Sequence, residues 1–178
     1  MRTAPSDALT IWTVGHSTRS IAELVDALAP YGIEAVADVR RYPGSRRLPQ
    51  FTAPALRDEL ERAGLSYLWI PALGGRRRAS SDSVNTAWRN ESFRAYADHV
   101  RSEEFADGLF ELLMVARGLR TTIMCAEVLW WRCHRRLIAD VLTSLGVTVV
   151  HIGDATHATT HLIGPPARLV RGVLRYDG

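Results

Sequence analysis

Five short apolar runs, separated by stretches with helical spacing, constrain this chain more than any other feature it has. The runs are LTIWTVG from Leu9, IEAVADVR from Ile33, SYLWI from Ser66, TTIMCAE from Thr121 and VTVVHIG from Val147. Each is rich in β-branched and aromatic residues and only a few residues long, which predicts strands. They are nearly continuous in apolar character, as a sheet covered on both faces requires. Between them, Ser20 and Glu23 form an S-x-x-E capping box ahead of Ile21, Leu24, Val25 and Leu28, and Gly32 stops that helix. A second helix follows Thr52 and closes at Gly64, and one bent helix or two helices run from Glu91 to Gly118. A last helix begins at Cys133 and precedes the fifth strand. Strand and helix in alternation predict a Rossmann-like three-layer α/β domain with a mainly parallel sheet of about five strands and right-handed crossovers. The 178 residues are read as one α/β domain, and the tail from 154 to 178 has too weak a periodicity to assign.

In such folds ligands bind beyond the carboxyl ends of the strands, and the reactive residues collect there. The first strand exits into GHSTR, the second into DVRRYPGSRR, the third into LGGRRR, the fourth into CAEVLWWRCHRR and the fifth into HIGD. Arg19, Arg40, Arg41, Arg46, Arg47, Arg76, Arg77, Arg78, Arg132, Arg135 and Arg136 lie in these exits, 11 of the 22 basic residues, all of which are arginine. Planar guanidinium groups suit phosphate and carboxylate, so this rim predicts an anionic ligand. Solvated loop arginines are the plainer reading. No G-x-G-x-x-G and no P-loop follows any strand, which argues against a standard dinucleotide or P-loop site.

Cys133 is predicted at the start of a helix among Arg132, Arg135 and Arg136, where a thiolate is favoured. It also continues the apolar face of Leu137, Ile138, Val141 and Leu142, so a buried structural cysteine is the simpler expectation. Cys125 ends a strand and suits packing; its C-x₇-C spacing to Cys133 is neither a thioredoxin-like C-x-x-C nor a zinc pattern. Glu127 is either the partner of a rim arginine or a general acid–base. Asp38 and Arg40, two apart on a strand, share a face and form either an ion pair or part of a site. His16 is a candidate base or a loop hydrogen-bonding residue. His157 and His161, in HATTH, lack the glutamate of H-E-x-x-H and are expected to decorate a loop. Trp88, Trp130, Trp131 and Tyr42 sit near the arginines and either stack a base or cover the core.

The motifs TVGHSTRS, ADVRRYPGSRR, Phe51, LGGRR, SFRAYADHV, MCAE, CHRRLIADVL and VVHI occur in that order. Together they resemble the bacterial and archaeal family known as domain of unknown function 488, over about residues 11–152. The resemblance implies an α/β fold and signature positions at Gly15, His16, Ser17, Asp38, Arg40, Pro43, Ser45, Gly74, Gly75, Cys125, Glu127, Cys133, His134 and Arg135. It implies no reaction.

Three functions follow from these readings. The first is an enzyme acting on an anionic, phosphate-bearing small molecule or nucleotide. Its catalytic candidates are Glu127, Cys133, His16 and Asp38. Its binding candidates are Arg40, Ser17, Ser45, Gly74, Gly75, Arg76, His134 and Arg135. The second is a nucleic-acid-binding module using the same rim, and the third a metal-dependent hydrolase using Asp38, Glu127 and histidines. Cofactor and oligomeric state stay open, and no metal ligand set is assigned. The chain lacks a signal-peptide core and any apolar run of membrane-spanning length, so a cytoplasmic protein with reduced thiols and no membrane partner is expected.

Overall fold

The computed structural model describes residues 9–44 and 46–178. The central sheet holds β1 (Thr10–Gly15), β2 (Ala35–Asp38), β3 (Ser66–Trp69), β4 (Thr121–Cys125), β5 (Thr148–Ile152) and β6 (Ala158–Thr160). Their spatial order is β3-β2-β4-β1-β5-β6. The first five are parallel, and β6 adds to β5 as an antiparallel edge. The helices are α1 (Ile21–Leu28), α2 (Ala53–Arg62), α3 (Glu91–His99), α4 (Glu103–Ala116) and α5 (Arg135–Ser144). This is a three-layer α/β fold.

The alternation of side chains along each strand divides the core in two. Trp12, Val14, Val36 and Met124 point to the face where Leu24 and Leu28 of α1 and Leu56 and Leu60 of α2 pack. Ile11, Ala37, Ile123 and Val149 point to the other face, under Tyr96 of α3, Leu109 and Leu112 of α4 and Leu137 and Leu142 of α5. Both faces are covered, which is why the strands carry few polar residues.

Local signals set the helix ends. Ser20 and Glu23 form the expected capping box, Glu23 N–H donating to Ser20 Oγ and Ser20 N–H to Glu23 Oε2. Gly32 and Gly64 take positive φ after α1 and α2, where a Cβ would be strained. Thr52 precedes α2, but its hydroxyl donates to the Pro49 carbonyl, so it does not cap the helix with its side chain. The helix expected at Cys133 starts two residues later, because Trp130–Arg132 form a one-turn 3₁₀ helix and Cys133 is extended.

The unassigned tail is ordered structure. After β6, β7 (Arg168–Val170) and β8 (Val173–Arg175) form a hairpin around Arg171 and Gly172, both at positive φ, as a tight two-residue turn demands. Tyr176 and Ala167 are buried in the α5-side core. Among the described residues no helix is long and apolar enough to cross a membrane.

Candidate functional site

β1 and β4 are neighbours whose chains leave toward opposite faces, β1 to α1 and β4 to α5. That divergence opens a crevice at the carboxyl ends of the strands. The two exits are held together by His16 N–H on Cys125 O (2.9 Å) and Ser17 N–H on Ala126 O (3.0 Å). Gly15 permits this approach, since a Cβ there would stand 1.9 Å from the Glu127 carbonyl oxygen. Beside the junction lies a cleft of about 350 Å³, its wall formed by His16, Arg40, Arg41, Tyr42, Gly75, Arg76, Cys125, Glu127, Cys133 and His134. A second cleft of about 280 Å³, toward the start of α3, shares Gly75, Arg76, Cys133 and His134 with it.

Both cysteines are free, and their Sγ atoms are 3.3 Å apart. Cys125 is buried at the end of β4; Cys133 is partly exposed between the two clefts. Arg135 turns back onto Cys133 from the first turn of α5, with its backbone N–H 3.4 Å and its Nε 3.2 Å from Sγ. Burial opposes charge on Cys133, but the hydrogen bond from Cys125 and the charge of Arg135 outweigh it and hold the thiol well below its ordinary value. Cys125 is shifted the other way: burial, reinforced by its bond to Cys133, pushes its thiol up. The two shifts run in opposite senses and favour the charge on Cys133 and the proton on Cys125.

Arg135 itself is buried. Its Nε faces Cys133, Nη1 donates to Thr13 Oγ1 (3.2 Å), and Nη2 donates to the carbonyls of Glu127 and Val128. With its N–H groups directed to protein acceptors it does not line the cleft, and it acts on Cys133 rather than on a ligand. Behind it runs a buried chain. Thr13 Oγ1 is 2.7 Å from His151 Nδ1, His151 Nε2 is 3.0 Å from His161 Nδ1, and His161 Nε2 is 2.8 Å from Asp140 Oδ1. Tyr176 OH donates to Asp140 Oδ2 at 3.0 Å. A guanidinium only donates and a carboxylate only accepts. An order that satisfies both ends runs Arg135 to Thr13 to His151 to His161 to Asp140, each group donating to the next. Burial, with His161 and Arg135 nearby, lowers the pKa of His151 to about 3. Trp130 stacks on His151 at 4.0 Å.

This chain corrects the reading of His161 as loop decoration: it is buried, whereas His157 is exposed and pairs with Asp154. The legible signal was Asp140, an acid standing among Leu137, Ile138, Val141 and Leu142 on the apolar face of α5. Its presence there required a buried partner, and His151 and His161 are the histidines that the fifth strand and the tail bring to it.

Asp38 and Arg40 form a buried ion pair. Asp38 Oδ1 accepts from Arg40 N (3.0 Å) and Nε (2.8 Å), while Oδ2 accepts from Arg40 Nη2 (2.6 Å) and Tyr67 OH (2.8 Å). Both carboxylate oxygens are occupied, so Asp38 fixes Arg40 and lies off the cleft wall. Arg40 Nη1 points to His16 Nε2 at 3.3 Å, and His16 Nδ1 donates to the Ser17 carbonyl at 2.8 Å. Burial lowers the pKa of His16 to about 4, with the Ser17 carbonyl opposing and Arg40 adding to the effect. Its remaining lone pair faces a cation, which ill suits a general base. His134 is the more open imidazole. Its Nε2 donates to the Val39 carbonyl (2.9 Å), and Nδ1, an acceptor with no partner among the described residues, lies beside Gly75, where a Cβ would come within 3.0 Å of it.

Of the remaining candidates, Gly75, Arg76 and Glu127 line the cleft. Glu127 is exposed, and its Oε1 accepts from Leu129 N–H (3.1 Å). Gly74 is packed against the Arg41 backbone, 2.6 Å from a would-be Cβ. Ser17 takes positive φ and holds His16 through its carbonyl, off the cleft wall. Ser45 lies outside the described residues. Arg77 is tied to Glu104 and to the Gly74, Pro71 and Ala72 carbonyls. Trp88 is buried against Phe93 and Tyr176, whereas Tyr42 and Trp131 are exposed. Among the described residues no group of three or more His, Cys, Asp or Glu side chains is placed to hold a metal ion; Glu127 lines the cleft and Asp38 does not.

A family model described as "Domain of unknown function DUF488" matches residues 20–142. No curated protein matches, and no solved structure does.

Proposed function

The chain belongs to the DUF488 family, and from that premise we propose that it is a thiol-dependent enzyme whose nucleophile, Cys133, attacks an anionic small molecule or nucleotide bound in the strand-exit cleft. The observation that carries this is Arg135: its backbone N–H and Nε both face Cys133 Sγ, while Cys133 opens onto the cleft. A packing cysteine has no use for a buried guanidinium. Arg40, Arg41 and Arg76 line the same cleft and supply the charge for phosphate or carboxylate. His134 Nδ1 is the acceptor available for a substrate or solvent proton.

Two alkylating agents of nearly equal size test both halves of this reading. Reduced protein should react at Cys133 faster with anionic iodoacetate than with neutral iodoacetamide, against the preference of a free thiol. Each of Arg41→Ala and Arg76→Ala should lower that preference about fivefold, equivalent to about 1 kcal/mol, the attraction of two unit charges about 4 Å apart in water. Competition by phosphate, pyrophosphate or a nucleotide should slow the reaction. A Cys133 that is inert, or that shows no charge preference, removes the proposal.

A further inference from the structure

We propose that Cys125 and Cys133 form a dithiol pair that reduces an anionic, disulfide-bearing small molecule by thiol–disulfide exchange, with Cys133 attacking and Cys125 resolving. This rests on the reading of Cys133 as the nucleophile and names its substrate class. A nucleophile that only displaces a leaving group needs no second thiol. Here a second sulfur lies 3.3 Å from the first, buried at the end of β4 and positioned to reach Cys133 Sγ. The cleft above the pair mixes the arginines with Tyr42, Leu48 and the two sulfurs, and its volume of about 350 Å³ exceeds what a water-sized oxidant needs. A carboxylate-bearing disulfide fits both the charge and the room.

The steps balance. The Cys133 thiolate attacks one sulfur of R–S–S–R, forms Cys133–S–S–R and releases RS⁻. Before attack, the negative charge on Cys133 holds the proton of Cys125 in place. Once Cys133 is capped that charge is gone, while Arg135 stays, with Nη2 on the Glu127 carbonyl that Cys125 Sγ also meets at 3.6 Å. The Cys125 proton passes to the departed RS⁻, and the Cys125 thiolate attacks Cys133 Sγ. The mixed disulfide breaks, the Cys125–Cys133 bond forms and the second RS⁻ leaves, taking a proton from solvent. In sum, two protein thiols are oxidised to a disulfide while R–S–S–R is reduced to two thiols. A dithiol reductant returns the protein to its starting state. One arginine thus serves both half-reactions, which the long C-x₇-C spacing permits because the fold, not the sequence interval, sets the distance.

Dithiobis(nitrobenzoate), a disulfide with two carboxylates, is the probe. Reduced full-length protein should release both halves of the reagent and end, by intact mass, lighter by two hydrogens with no adduct. Cys125→Ser should release one half and keep the other on Cys133, and Cys133→Ser should react slowly or not at all. Cystamine, a disulfide with two cations, should react far more slowly with the wild type. A stable adduct on Cys133 of the wild-type protein overturns the resolving role of Cys125 and leaves the nucleophile standing. Wild-type protein with both thiols unreacted overturns the nucleophile itself. Because the decisive mass is read on the wild type, poor folding of a variant does not blunt the test.

Discussion

Arg135 meets four different acceptor sites within a few ångströms: a thiolate, a hydroxyl and two carbonyls. Only a planar fork with donors on three nitrogens can do so. Arg135→Lys therefore keeps the charge and loses the geometry. The Cys133 thiol should titrate closer to the free value of about 8.5, followed through its thiolate ultraviolet absorbance against pH. An unshifted titration would mean that charge alone, or the bond from Cys125, sets the thiolate. That Cys133 and Arg135 lie close together was legible in CHRR, but not that Arg135 turns back onto the sulfur. The sequence places three arginines and a cysteine near a helix start and is silent on which arginine turns inward. The structure shows Arg135 buried and Arg132 exposed. Likewise Asp38 and Arg40 were legible as a pair sharing a face, whereas Tyr67, which completes the Asp38 shell, arrives from another strand and has no local signal.

At the scale of elements, the site exists because β1 and β4 run side by side and then part. The strands and their polar exits could be read from apolar runs and glycines, and so could the collection of His16, Arg40, Cys125 and Cys133 at one rim. Strand order could not: that β4 lies between β2 and β1 depends on long-range pairing. The junction of the two exits depends on Gly15. Gly15→Ala places a methyl carbon 1.9 Å from the Glu127 carbonyl oxygen, far inside van der Waals contact, so the loop after β4 must move. Overpacking of this kind costs about 1–3 kcal/mol. We expect a loss of that size in urea unfolding, together with a changed alkylation rate at Cys133, because the same carbonyl accepts from Arg135. A variant with wild-type stability and wild-type alkylation would show that the loop adapts freely and does not hold the site.

At the scale of the whole molecule, burial of neutral imidazoles couples the fold to pH. The tail contributes His161 and Tyr176 to the chain that ends at Asp140; its three-residue strands are too short to show periodicity, which is why it was unreadable. Burial holds His16 near pKa 4 and His151 near 3, and lowers His99 and His134 as well. In the unfolded chain each returns to about 6.5. Below that value the unfolded state takes up protons that the folded state refuses, so stability falls as pH drops from 6.5 toward 4, by up to about 1.4 kcal/mol per pH unit for each such histidine. Cys133 acts in the same sense at higher pH: its folded thiol is depressed, so the stability of its thiolate is present above the free value of about 8.5 and is lost as pH falls through its folded value. Cys125, raised by burial, destabilises the fold only above its ordinary range. The lowered carboxylates Glu23, Glu104, Asp154 and Asp177 return to about 4 on unfolding and weigh in below about pH 5. Between pH 7 and 5 these four histidines and Cys133 thus act together. Urea midpoints measured across that interval should fall steadily, and Cys133→Ser should flatten the slope without abolishing it, since the histidines remain. A midpoint constant from pH 7 to 5 in both proteins would mean that the imidazoles gain protons in the folded state, and the one-way hydrogen-bond order from Arg135 to Asp140 would then be wrong.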